Sequence, residues 1–161
     1  MAKEKTPVTP AVRQLRSENV DFADHPYNYE EKGGTFVSAR ELGVNEHCVI
    51  KTLVMEDERK EPLIVLMHGD LQVSTKELAR IIGVKQISPC TPDSVQKHTG
   101  YLVGGPSPFG TRHRMSVYME AGITALERIY INGGKRGYLI SMTPAELIRV
   151  LQPIPVTVGI Q

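Results

Sequence analysis

Apolar residues recur along this chain with changing spacing, and each change of spacing marks an element. Two short apolar runs, "VIKTLVM" at 49–55 and "PLIVLM" at 62–67, flank the charged stretch "EDERKE". Runs of this length bounded by polar residues predict strands, and so short a connection predicts an antiparallel hairpin. "MSVYME", "RIYING" and "YLISM" predict three further strands, the last two joined by the turn "GGKRG". "QIS" is a short strand, and "DFADHPY" an extended segment that Pro26 confines to a sheet edge. "YLVGGPSPFGTRH" reads as a strand running into a glycine- and proline-rich loop. Helical spacing appears in "TPAVRQLRSENV", with Thr9 as cap, Pro10 at the first helical position and Val12 and Leu15 inward. It returns in "STKELARIIGV", where Ser74 caps, Glu77 completes a capping box and Gly83 ends the helix. "TPDSVQKHTG", capped by Thr91, and "TPAELIRVL" are two more helices. "EEKGGTFVS" reads as a loop, "SARELG" as a short helix stopped by Gly43, and "PIPVTVGI" closes the chain.

Strands and helices are interspersed without strict alternation. The class is therefore mixed α/β with a largely antiparallel or mixed sheet, not a doubly wound nucleotide fold. The 161 residues suit one domain, 1–161, with residues 1–8 as a flexible tail. A formal net charge of +1 argues against a general nucleic-acid or membrane coat and leaves room for a local basic site. The charged "MAKEKTPVTP" has no apolar core, so no signal peptide is expected. No apolar run approaches a membrane span. A reducing, cytoplasmic setting is the expectation.

The first strand has a lysine in its middle. Side chains alternate along a strand, so Ile50, Thr52 and Val54 share one face while Val49, Lys51, Leu53 and Met55 share the other. Lys51 is either an edge lysine whose stem packs and whose head reaches water, or a cation on a pocket wall that meets an anionic or carbonyl group. The loop "GGPSPFG" at 104–110 is the second candidate. Its glycines permit close backbone approach, and the amides of Gly104, Gly105 and Ser107 form either an anion-binding nest or simply a rigid turn. It lacks the lysine and hydroxyl residue of a phosphate-binding P-loop. Lys135 and Arg136, with Arg112, His113 and Arg114, make a modest basic patch for phosphates or a solvated surface. Histidines 25, 47, 68, 98 and 113 are scattered, Cys48 and Cys90 have no ligand spacing, and no G-x-S-x-G elbow is present, so neither a metal site nor a serine or cysteine nucleophile is expected.

Three segments together, "VIKTLV", "TGYLVGGPSPFG" and "IYINGGKRG", resemble in order and spacing the YbaK/EbsC family of aminoacyl-tRNA deacylases. "TPAVRQL" and "PAELIRVL" are similar to it as well, and the resemblance covers about residues 9–152. It implies a mixed, partly barrel-like sheet flanked by helices, related to the editing domain of bacterial prolyl-tRNA synthetases. It implies a cytoplasmic enzyme, with no cofactor, that acts on mischarged tRNA, most typically tRNA for proline carrying cysteine. In that reaction the substrate's own thiol attacks the ester. Prolyl-tRNA synthetase is an implied partner. Carried over residue by residue, Lys51 is the catalytic cation and Thr52 accompanies it, as in the YbaK branch. Tyr27 and Phe36 are aromatic pocket residues, and Gly104 and Gly105 belong to the glycine loop. Asn132 stands at a substrate-binding position where the family often has serine. Leu139 stands where the family often has aspartate, and it cannot hydrogen-bond. That departure points to another way of placing the substrate amine or ribose, or to another small amino acid as substrate. It also keeps alive a tRNA- or synthetase-binding module with little catalysis. A small-molecule or nucleotide-binding domain is the third reading.

Overall fold

The computed structural model describes residues 7–161. The tail expected over 1–8 therefore lies outside the described residues for 1–6, while Pro7 and Val8 carry no regular structure. The described residues hold five α-helices, α1 (Pro10–Ser17), α2 (Gly34–Leu42), α3 (Thr75–Ile82), α4 (Pro92–Thr99) and α5 (Pro144–Leu151), and two short 3-10 turns. The strands are β1 (Ala23–Pro26), β2 (Val49–Asp57), β3 (Pro62–His68), β4 (Gln72–Val73), β5 (Ile87–Pro89), β6 (Ser116–Glu120), β7 (Ile129–Lys135), β8 (Tyr138–Met142), β9 (Ile154–Val156) and β10 (Gly159–Ile160). Local chemistry explains most of the boundaries. The hydroxyls of Thr9, Ser74, Thr91 and Thr143 each accept from the amide three residues on. Gly43 and Gly83 end their helices in left-handed conformation. The β2–β3 hairpin closes on Asp57, whose carboxylate accepts from the amides of Arg59 and Glu61.

The main sheet runs β1-β8-β7-β2-β3-β6-β9, with β5 added to β2, and β4 and β10 form a separate small pair. The short connections make β2–β3 and β7–β8 antiparallel, as their lengths require. Parallel pairs β2–β7, β3–β6 and β6–β9 make the sheet mixed, and it is open rather than a closed barrel. Alternation along β2 sorts its side chains. Ile50 and Val54 join the core under α1 and α5, with Ala11, Leu15, Phe109 and Leu147. Met55 packs on the opposite side with Leu78 and Ala79 of α3, and Val49 with Leu139 and Ala39 of α2.

Three local expectations are corrected. Helix α2 begins at Gly34, inside the stretch read as a loop, because burial of Val37, Ser38 and Ala39 outweighs a start with no side-chain cap. "YLV" at 101–103 is not a strand. Its backbone is satisfied locally, the Tyr101 amide by Thr99 Oγ1, while the buried Tyr101 hydroxyl donates to the Phe109 carbonyl at 2.8 Å. Half of the capping box at α3 is absent, since Glu77 holds Arg80 and the Ser74 amide donates to the Val158 carbonyl.

Gly110 pins the long loop to the start of α1. It has φ +64, and a Cβ there would lie 2.3 Å from the Pro10 backbone carbonyl carbon. Gly110→Ala is expected to cost about 2–4 kcal/mol, from left-handed strain plus a clash with backbone that cannot rotate away. A denaturation midpoint equal to the parent's would show that α1 yields freely.

Candidate functional site

Strand β2 is paired along one edge by β3 from Ile50 to Glu56. Its other edge is shared. β7 holds Val49 and Ile50, and β5 holds Met55 to Asp57, with the Cys90 amide reaching the Val54 carbonyl at 3.1 Å. Lys51, Thr52 and Leu53 thus have no strand beside them on that edge. Thr52 lies two residues from Val54, so its backbone N–H and C=O face the same open side. A cavity of about 650 Å³ occupies this fork. Because it sits beside an unpaired edge rather than over one face, it reaches side chains from both faces of β2, and Lys51 and Thr52 line it together.

The walls are mostly apolar, from Val37 of α2, Val49, Leu53 and Val54 of β2, Val95 of α4 and Leu139 of β8. Leu139 is buried against Val49 and Ala39. Polar groups are few. The Lys51 ammonium donates to the Leu71 carbonyl at 2.7 Å, which leaves two of its three N–H donors for a ligand. The turn that offers this carbonyl is braced. Thr35 Oγ1 donates to Glu46 at 2.7 Å and to the Gly69 carbonyl at 3.1 Å, His47 Nδ1 meets Asp70 at 2.8 Å, and the rings of His47 and His68 stack 3.7 Å apart. These two histidines, scattered in sequence, therefore form one structural support. The Thr52 hydroxyl is buried with no hydrogen-bond partner, alone among the buried side-chain polar atoms of the described residues.

Of the residues expected at the site, the fold brings Lys51, Thr52, Tyr27, Gly104 and Asn132 to the cavity. Asn132 organises the bulged β7–β8 turn. Its Oδ1 accepts from the Gly134 and Lys135 amides, and its Nδ2 donates to the Gly104 carbonyl at 3.3 Å. Phe36 is not among the lining residues and is 64% exposed, because α2 turns its Val37 face inward instead. Gly105 is buried outside the lining, and its amide is spent on the Leu102 carbonyl at 2.9 Å. Ser107 is likewise fully buried, so a three-amide nest over 104–107 is not formed, and Gly104 alone of those three lines the cavity. The expected basic patch is divided. Arg136 lines the cavity with Lys135 next to it in the chain, whereas Arg114 lines a different hollow with Asp57 and Glu61.

Sequence reasoning missed Tyr29 and Cys90 as lining residues, while Arg136, a candidate phosphate contact in the sequence, also lines the cavity. Tyr29 follows Tyr27 at the period-two spacing of an extended segment, which is a usable signal. Burial and the neighbouring Tyr29 hold the Tyr27 phenol above its ordinary pKa, so it stays a neutral hydroxyl at physiological pH. The Cys90 thiol is pushed up to about 11 by burial and by Glu56. Raised above its unfolded value of 9, it contributes stability below about pH 9 that is lost as pH climbs towards 11. At pH 8 its thiolate fraction falls about 100-fold, so Cys90 in the folded protein should be alkylated by iodoacetamide about 100-fold more slowly than in the unfolded chain. Equal rates by mass spectrometry would make it a reactive thiol. One serine–histidine pair exists elsewhere, with Ser141 Oγ 2.7 Å from His25 Nε2. Ser141 is fully buried, outside the cavity lining, and also receives Arg128 Nε, so it is not placed as a nucleophile.

A wall of apolar side chains, two unspent lysine donors and an orphaned hydroxyl suit a small acyl group carried on a larger anionic molecule. Comparison with known proteins gives the same direction. Residues 34–150 match the family described as the aminoacyl-tRNA editing domain. A candidate Cys-tRNA(Pro)/Cys-tRNA(Cys) deacylase of Enterococcus faecalis, EbsC, is 27% identical over 150 residues, which cover 92% of each chain. A proline–tRNA ligase of Thermodesulfovibrio yellowstonii is 30% identical over 136 residues, 84% of this chain but 22% of the ligase. The solved structure of a candidate trans-editing enzyme for prolyl-tRNA synthetase superposes with a TM-score of 0.81 at 19% identity, over 96% of this chain and all of that one. The chain belongs to the aminoacyl-tRNA editing domain family, whose members are deacylases that cleave the ester bond of mischarged tRNA.

Proposed function

We propose that this chain is a trans-acting deacylase in the cytoplasm that clears cysteine from tRNA for proline. The Thr52 hydroxyl carries this reading. An unpartnered buried hydroxyl costs about 1–3 kcal/mol, and that cost is offset when a bound ligand supplies the partner. It lies in the fork beside a lysine with two donors to spare. The EbsC relative supports the choice of cysteine, and the synthetase relatives support the choice of tRNA for proline.

The reaction needs little from the protein beyond placement. An aminoacyl ester is already activated, so fixing the carbonyl and stabilising its developing charge supply most of the acceleration. The ester carbonyl is held by Lys51 N–H and the open β2 edge at Thr52. The substrate thiolate attacks its own carbonyl carbon. The ester C–O bond breaks, the ribose oxygen leaves with a proton, and the cyclic thioester then opens in water to free cysteine. Leu139 gives the side chain an apolar wall, so the substrate amine is placed by other groups than a carboxylate at that position.

Purified protein should release cysteine from cysteinyl-tRNA(Pro) and leave prolyl-tRNA(Pro) charged. Thr52→Val keeps the shape and removes the orphaned hydroxyl. It should keep or raise the melting temperature and lower kcat/KM by about tenfold. Unchanged kcat/KM would remove Thr52 from the site, and release of proline would overturn the specificity.

A further inference from the structure

Segment 100–105 connects the end of α4 to the cavity mouth, and cations stand at both of its ends. At the start, the Arg112 side chain lies 3.8 Å from where a Cβ on Gly100 would sit. The Arg112 and His113 amides donate to the Thr99 and His98 carbonyls, which gathers Arg112 and His113 beside Lys97 and His98 in the last turn of α4. At the other end, Arg136 Nε donates to the Val103 carbonyl at 2.8 Å, its guanidinium lies over the Tyr29 ring, and Lys135 is adjacent. Between the two ends Leu102 and Val103 are 59% and 43% exposed, although apolar. Glu30, Glu31 and Lys32 also line the cavity, and Glu30 is tied to Arg40. The cations at the two ends of 100–105 attract an anionic chain to that segment.

We infer that this strip is the track for the unpaired 3′ end of the tRNA. Resting on the deacylase reading above, the proposal adds the surface that binds the nucleic acid. The ester enters the fork past Gly104. The terminal bases cover Leu102 and Val103, and successive phosphates meet Lys135 and Arg136, then Arg112 and the histidines. The Gly105 amide closes a turn onto the Leu102 carbonyl, which keeps the strip short and limits it to the last few nucleotides of the strand. A basic groove that tracks phosphates beside an aromatic ring, here Arg136 and Tyr29, is the usual chemistry of single-strand binding.

The test is the salt dependence of binding to deacylated tRNA, followed by fluorescence anisotropy from 50 to 300 mM salt. The intact protein should bind. The double variant Arg112→Ala/Lys135→Ala should flatten the log–log salt slope by about 1.4, two contacts at about 0.7 each. Lys76→Ala, an exposed cation on α3, serves as the control and should leave the slope unchanged. A tRNA trimmed of its single-stranded 3′ end should bind the parent more weakly and no longer distinguish it from the double variant. No binding by the parent at 50 mM salt, or an unchanged slope in a double variant with parental melting temperature, overturns the track. Binding as described by a protein that cleaves no aminoacyl-tRNA would sink the deacylase reading and leave the track standing. Cleavage with an unchanged slope would do the reverse.

Discussion

Lys51→Ala is expected to lower kcat/KM for the preferred aminoacyl-tRNA by about 10²–10³-fold, the usual loss when one donor to a developing oxyanion is removed. Three observations set the size of the effect. The lysine lines the cavity beside the unpaired edge of β2, it makes a single hydrogen bond to the Leu71 carbonyl, and that carbonyl sits in a turn held by Thr35, Glu46, His47 and Asp70. The ammonium is thus aimed before the substrate arrives, so it needs no reorganisation as charge develops. The folded state should hardly notice the change. Alanine leaves no buried unpaired charge, and the Leu71 carbonyl is freed towards an open cavity that water can enter. Lys51→Met, which keeps the apolar stem, should be as inactive as the alanine variant and at least as stable. Parental kcat/KM in either variant would return Lys51 to the role of an edge lysine.

Cysteinyl-tRNA should be cleaved at least about 10²-fold faster than seryl-tRNA, its near isostere. The two side chains differ by one atom, so the pocket distinguishes them weakly by shape. They differ strongly in chemistry, since a thiol is already a few per cent thiolate near pH 7 and a hydroxyl is not. Cys90, the thiol among the cavity's lining residues, is held protonated by burial and Glu56. The Cys48→Ala/Cys90→Ala variant should therefore keep the same preference. Comparable cleavage of the seryl ester would mean an enzyme-activated water, and a cysteine-free variant that loses the preference while folded would place the nucleophile on the protein.

What was legible in the sequence follows the range over which its signals act. Helix caps at Thr9, Ser74, Thr91 and Thr143 are local hydrogen bonds, and each lies where the spacing of residues puts it. The alternation along β2 placed Lys51 and Thr52 on opposite faces, and the packing of Val54 and Met55 into different cores agrees. Their meeting in one cavity was not legible, because it depends on β5 and β7 each covering only part of the same edge, and these come from residues about 30 and 80 positions along the chain from their partners in β2. The Leu71 carbonyl was invisible for the same reason, twenty residues from the lysine it receives. Phe36 was placed at the pocket by the family resemblance alone, and one step of helix rotation brings Val37 to the cavity wall and leaves Phe36 64% exposed.

The divided edge of β2 also orders events during folding. The hairpin with β3 closes over a handful of residues, whereas the pairing of Val49 and Ile50 with Tyr130 and Ile131 must first close a loop of about eighty. Contacts of that separation form late, since their entropy is lost before they contribute. One boundary of the fork is thus among the last features assembled, and a nascent or partly folded chain has the lysine but no enclosure around it. Ester cleavage then becomes a property of the finished molecule alone, and its appearance in a refolding experiment times the arrival of β7 rather than the collapse of the core.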